Sequence, residues 1–181
     1  PLAFTTITGS GAAATTIVGT SGVDFTTVDT LDNYFVGAQQ SGDTVGVDGN
    51  LTNGTIKGGQ GNDTISFTAG ATLTGSFLNG NSNNDTIGQA AGAANFFTST
   101  VLGGNGGDTI QIGTISGSTA NGNKGGDTIT SVTTASSTLF GGQGNDAITS
   151  TATASSTVSG DIGNDQITIG GGNQTSSLFA G

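Results

Sequence analysis

Written in rows aligned on its aspartates, the chain shows two apolar columns. Two residues after successive Asp residues stand Val45, Ile65, Ile87, Ile110, Ile129, Ile148 and Ile167. Seven residues before them stand Ile17, Val36, Ile56, Leu78, Val101, Ala120, Leu139 and Val158, and Leu178 falls in the same column if one residue is inserted. Most neighbours of these apolar residues are polar, chiefly Thr and Ser. One side chain in and its neighbours out is the signature of a short strand. Such a strand cannot bury its face alone, so each turn must stack on the next. The pattern predicts a parallel β-solenoid, a stack of turns with two short strands each.

The repeat behind the columns is explicit. GGQGNDTIS (58–66) returns as GGNGGDTIQ (103–111) and GGQGNDAIT (141–149), with weaker copies at 80–88, 122–130 and 160–168. The period is 19 residues from Asp108 onward, and the earlier turns carry insertions of one to four. Length over period predicts about nine turns, a rod of ~45 Å at the usual strand spacing. Within 141–159 the expected order is a Gly-rich loop (141–146), a strand (147–149), a polar loop (150–156) and a second strand (157–159). The insertions before Asp85 and Asp108 belong in the polar loop. No boundary divides the chain: 1–181 is read as one repeat domain, with degenerate first turns over 1–36 and clear repeats over 37–181.

Composition narrows the field further. Glycine at 35 of 181 residues, with abundant Thr and Ser, opposes helix. The glycines lack a three-residue period and there is one proline, so collagen is excluded. Without His or Cys there is no zinc finger, thiol chemistry or His-based triad. A net charge of −10, with Lys57 and Lys124 the only cations, argues against nucleic acid and anionic lipid as partners. No apolar run is long enough to span a membrane.

The Asp column is the candidate chemistry. Stacking in register brings Asp43, Asp63, Asp85, Asp108, Asp127, Asp146 and Asp165 about 5 Å from one another along one edge. Neighbouring charges at that distance repel by roughly 1 kcal/mol even in water. Ca²⁺ would neutralise the row, drawing on carboxylates of adjacent turns and on carbonyls of the glycine loops. The loop positions involved are Gly58, Gly59 and Gly61; Gly103, Gly104 and Gly106; Gly122 and Gly125; Gly141, Gly142 and Gly144; and Gly163. Asp161, at a glycine position of its copy, is an extra candidate oxygen. The alternative is a partly protonated or water-screened row beside amide ladders of Asn62, Asn84, Asn145 and Asn164. Asp29, Asp32 and Asp48 lie outside the column, and no aromatic-lined cleft accompanies them, so no catalytic residues are assigned.

GGQGNDTIS and its copies resemble the GGxGxDxUx nonapeptide of the RTX (repeats-in-toxin) calcium-binding β-roll family over roughly residues 38–181. The resemblance implies a right-handed, β-roll-like parallel solenoid with Ca²⁺ as its cofactor. Here the second loop, SVTTASS or STATASS, lacks Asp, so only one edge is expected to bind calcium. A 19-residue turn with one such edge is similar to the repeats of secreted bacterial S-layer and surface filament proteins. That implies an extracellular or cell-surface location, reached by type I secretion.

Three functional classes follow: a structural unit of a surface layer or filament, an adhesin stalk or ligand-binding module, and an ice binder. The structural class is the expectation, and catalysis is not. Absence of Cys suits an extracellular protein that relies on calcium. Absence of Met suits a processed product or a piece of a longer array. Partners would be copies of the chain or further repeats of its parent. Leu102, Phe140 and Phe179, one place beyond the inner column, form either a lateral packing stripe or scattered surface apolars. Threonine ladders one place after and eight places before the Asp are interrupted by Ala147, Gln166, Phe77 and Ser177, which speaks against an ice-binding face.

Overall fold

The computed structural model describes residues 3–7, 16–19, 22, 24–88, 93–170 and 178–180. These residues form strands and turns only, in a parallel solenoid of two sheets. The first sheet gathers the strands that follow each Asp, including Thr44–Thr52, Thr64–Phe67, Thr86–Gly88, Thr109–Ser116, Thr128–Ala135, Ala147–Ala154 and Gln166–Ile169. The second gathers those that precede it, including Phe35–Gly37, Thr55–Gln60, Phe77–Ser82, Thr100–Asn105, Thr119–Lys124, Thr138–Gln143 and Thr157–Ile162. The complete pattern is built on the seven Asp residues from Asp43 to Asp165, fewer turns than length over period suggests. Several early turns are longer than 19 residues, and the outermost strands extend the sheets at both ends. Among the described residues no helix is long and apolar enough to cross a membrane.

Register follows the columns. Ile87 pairs with Ile65 and Ile110, and Ile129 with Ile110 and Ile148. In the second sheet Val101 pairs with Leu78 and Ala120, and Leu139 with Ala120 and Val158. All of these are buried. Burial of one Ile or Leu is worth about 2 kcal/mol, and a one-residue slip would expose a whole column, so the apolar pattern fixes the stacking.

Three details differ from the sequence reading. The polar loop expected at 150–156 is largely strand: Ala147–Ala154 runs unbroken, and Ser150 and Thr153 point inward with the apolar residues. Four hydroxyls make that tolerable. Ser131 Oγ lies 2.8 Å from Thr134 Oγ1, which is 2.9 Å from Ser150 Oγ, and Thr153 Oγ1 donates to Ser150 Oγ. In the preceding turn Ile112 and Ile115 fill these positions. The glycine loop is also shorter than expected, because Gly141–Gln143 ends the strand Thr138–Gln143 and leaves only 144–146 as a turn. Finally, Phe179 rather than Leu178 pairs with Val158, so the terminal strand is set one residue from the expected register.

The insertions fall where the polar loop was expected. They split the first-sheet strand into Thr64–Phe67 and Thr72–Thr74, and into Thr86–Gly88 and Asn95–Phe97. The extra width is filled by Phe67 and Phe96, whose rings meet edge to face at 5.9 Å. The supposed lateral stripe dissolves: Leu102 and Phe140 are half-buried and separated in register by Asn121, and Phe179 pairs with the inner column instead.

Candidate metal edge

Each column Asp sits where the short turn enters the first sheet, and the stacking places it inside rather than on the rim. Asp63, Asp85, Asp108, Asp127 and Asp146 are all buried, and Asp165 is half-buried. One carboxylate oxygen is committed to the backbone. Oδ1 of each Asp accepts the main-chain N–H of the Asp one turn earlier, at 2.7–2.9 Å from the Asp43–Asp63 pair to the Asp146–Asp165 pair. These bonds form a continuous ladder that needs a side chain of this length at every turn.

The second oxygen has no such partner. Oδ2 of Asp63, Asp85, Asp108, Asp127, Asp146 and Asp165 is buried without a hydrogen bond. An ionised carboxylate left half-satisfied in the interior is costly. Burial accordingly pushes Asp85 and Asp127 up to about 7 and Asp63 to about 6, against a lowering by the backbone N–H and a further rise from neighbouring carboxylates. Asp108 and Asp146 are raised for the same leading reason.

The first glycine of each loop explains what surrounds Oδ2. A Cβ on Gly103 would lie 2.5 Å from Asp108 Oδ2 and 2.7 Å from the Gly122 carbonyl, and one on Gly141 equally close to Asp146 Oδ2 and the Gly160 carbonyl. Only glycine leaves that space open. Carboxylate and carbonyl oxygens from two adjacent turns therefore converge over the bare Cα of this glycine, and the arrangement recurs at Gly58, Gly80 and Gly122. The fourth-place glycines Gly61, Gly106, Gly125, Gly144 and Gly163 take φ between 121° and 154°, which closes the turn in a region that L side chains avoid. Gly59, Gly104 and Gly142 lie in the outer part of the second sheet with φ of 110–123°.

The oxygen set fits a hard divalent cation. From Asp63 to Asp146 it offers one orphaned carboxylate oxygen per turn with a main-chain carbonyl beside it, and no nitrogen or sulfur donor among the described residues. Among the described residues no three carboxylates gather in one place, so carbonyl oxygens would supply most of the coordination. Neither lysine serves the row: Lys57 Nζ stands 5.9 Å from the Phe35 ring centroid, and Lys124 is exposed. Asp161, the extra candidate, is exposed and accepts a hydrogen bond from Ser159 Oγ, and its charge adds to the upward shift of Asp146. Asp32 and Asp48 are exposed as well. Asp29 pairs in register with Asp48 in the first sheet.

The amide ladder expected as the alternative exists alongside the carboxylates. Asn62 Oδ1 accepts from Asn84 N–H, Asn84 Oδ1 from Gly107 N–H, and Asn145 Oδ1 from Asn164 N–H. It braces the exposed rim of the turn and leaves Oδ2 unsatisfied.

The opposite edge carries a feature that the sequence reading missed. Ser76, Ser99, Ser118, Ser137 and Ser156 stand nine residues before successive Asp residues and are buried. The N–H of each of the first four bonds to Oγ of the next at 2.9–3.1 Å. The hydroxyls of all five donate to the carbonyl two residues back. This is the Asp ladder repeated without charge. The constant nine-residue offset was visible, but Ser is so frequent around it that the column did not stand out.

No family model matches the chain, and no curated protein or solved structure matches it either.

Proposed function

We propose that the chain is a calcium-stabilised structural repeat unit of an extracellular surface layer or filament. The observation that carries this is the buried Asp row, in which the turns from Asp63 to Asp146 each present an unsatisfied carboxylate oxygen beside a main-chain carbonyl. Oδ2 of Asp63, Asp85, Asp108, Asp127 and Asp146, with the carbonyls of Gly80, Gly103, Gly122, Gly141 and Gly160, would hold the ions. Bound calcium supplies the positive charge that the chain itself lacks inside. Its free energy of binding then becomes free energy of folding.

A structural role suits this design. Each turn contacts its neighbours through two parallel ladders, so rigidity is distributed along the axis rather than concentrated at one site. The resemblance of the loops to the RTX nonapeptide, the acidic charge and the lack of Cys support an extracellular setting rich in calcium. Electron microscopy of the protein in its native surroundings, with calcium and after chelation, tests the role. Filaments or a lattice that dissolve in chelator are expected. Isolated, unassembled molecules at all calcium concentrations would refute it.

A further inference from the structure

The outward face of the second sheet carries a second feature, a groove along the solenoid. One wall is the column Asn79, Leu102, Asn121 and Phe140, and the other is Ser82, Asn105, Lys124 and Gln143, each in register from turn to turn. Between them, one position per turn alternates: Asn81, Gly104, Asn123, Gly142, Asp161. Where glycine stands, no side chain fills the floor and a cavity opens. Where Asn or Asp stands, the side chain divides one cavity from the next. The result is two open cavities of about 400 and 460 Å³, over Gly104 and Gly142, which share Asn123 and Lys124. Each falls within the size of small-ligand sites. Their centres are two turns apart, about 10 Å from the strand spacing.

The lining is mostly amide, completed by Ser82 and Lys124 in one cavity and by Lys124, Asp161 and Ile162 in the other. Asn79 Oδ1 accepts the N–H of Asn81, and Asn121 Oδ1 that of Asn123, both at 2.9 Å. These bonds fix both amides in place and leave their Nδ2 groups as donors. Asn105, Asn123 and Gln143 add groups that donate and accept side by side, the pairing that adjacent sugar hydroxyls require. Leu102 and Phe140 alternate with Asn79 and Asn121 in register along that wall but line neither cavity, where Ile162 is the apolar side chain. A single lysine in a chain of net charge −10 is poor provision for a polyanion.

We propose that this groove binds an uncharged, extended polysaccharide lying along the solenoid axis, with one two-sugar repeat per cavity. This goes beyond the calcium-stabilised structural role and is independent of how the row of carboxylates is neutralised. The test is calorimetric titration of the full chain, in calcium, with β-1,4-linked hexamers of glucose and of N-acetylglucosamine. The coiled α-1,4-linked glucose hexamer and an anionic uronate hexamer serve as controls. One β-1,4 hexamer should bind, and its disaccharide should bind at least about tenfold more weakly because it fills one cavity of two. Asn123→Gly should weaken the hexamer about tenfold by removing the shared amide. Its melting temperature should be unchanged, since Gly104 and Gly142 hold the equivalent place in adjacent turns. No binding of either β-1,4 hexamer at millimolar concentration, or equal affinity for the α-1,4 chain, would overturn the inference. So would unaltered affinity in Asn123→Gly, preference for the uronate, or self-association through this face that Asn123→Gly abolishes.

Discussion

In excess chelator, the protein should become more stable as the solution is made more acidic, opposite to the usual behaviour of carboxylates in folded proteins. An Asp in the unfolded chain titrates near 3.8, whereas Asp85 and Asp127 titrate at about 7 and Asp63 at about 6 in the fold. A folded-state pKa above the unfolded one means that the folded state holds more protons in between. Stability is therefore full below about pH 4 and is lost as pH rises through 6 to 7. A tenfold change in proton affinity is worth about 1.4 kcal/mol. Asp85 and Asp127 each forfeit as much as about 4 kcal/mol on reaching pH 8, less the part that water screens. Two such losses approach the whole stability of an ordinary domain, about 5–15 kcal/mol. The metal-free chain should thus be marginal or unfolded at pH 8 and folded at pH 5. Thermal melts followed by circular dichroism in excess chelator from pH 4 to 9 would show Tm falling with pH. The same melts in millimolar calcium should show the trend flattened or reversed, because the cation favours the ionised row. A metal-free Tm that rises with pH, or stays level, would refute the buried, half-satisfied carboxylates on which the reasoning rests.

Substitution separates charge from hydrogen bonding. Asp127→Asn keeps an acceptor for the Asp108 N–H and removes the charge, so it should raise the metal-free Tm at pH 8 and lower the calcium-loaded one. A loss in both conditions would mean that geometry rather than charge governs the row. Ser137→Ala removes the acceptor for the Ser118 N–H and should cost about 1–3 kcal/mol in denaturant melts, equally with and without calcium. Purified, calcium-loaded protein should show no thermal hysteresis, since the outward ladder Thr86, Thr109, Thr128 is broken by Ala147 and Gln166. Hysteresis at micromolar concentration would contradict this.

The sequence disclosed whatever repeats in kind. The Ile and Val columns, the period and the Asp row could be read because large apolar residues and charges are rare around them. Residues that fold inward while being polar were hidden. Ser131, Thr134, Ser150 and Thr153 look like loop residues, and their mutual hydrogen bonds, with that from Ser150 Oγ to the Ala152 carbonyl, let them take the register positions that Ile112 and Ile115 fill in an earlier turn. The serine ladder escaped for a related reason, since a hydroxyl that replaces a carboxylate carries no charge to draw notice. The one-residue displacement of Leu178 shows the limit of column reading: Leu and Phe are adjacent there, and pairing rather than hydrophobicity selects Phe179. At the candidate site, the Asp row was legible but its depth was not. Which oxygen is satisfied depends on the turn-to-turn bonds, not on spacing.

Calcium titration of the chelator-treated chain at pH 7.5, followed together by calorimetry and far-ultraviolet circular dichroism, would decide whether the buried Asp row is a metal row. The buried Asp row predicts saturable binding of several ions per chain, with β-sheet signal and Tm rising in step with occupancy. Magnesium at equal concentration should do far less, because near-ideal octahedral geometry is hard to build from main-chain carbonyls and one carboxylate oxygen per turn. An identical spectrum and Tm in excess chelator and in millimolar calcium, with no heat of binding, would contradict it.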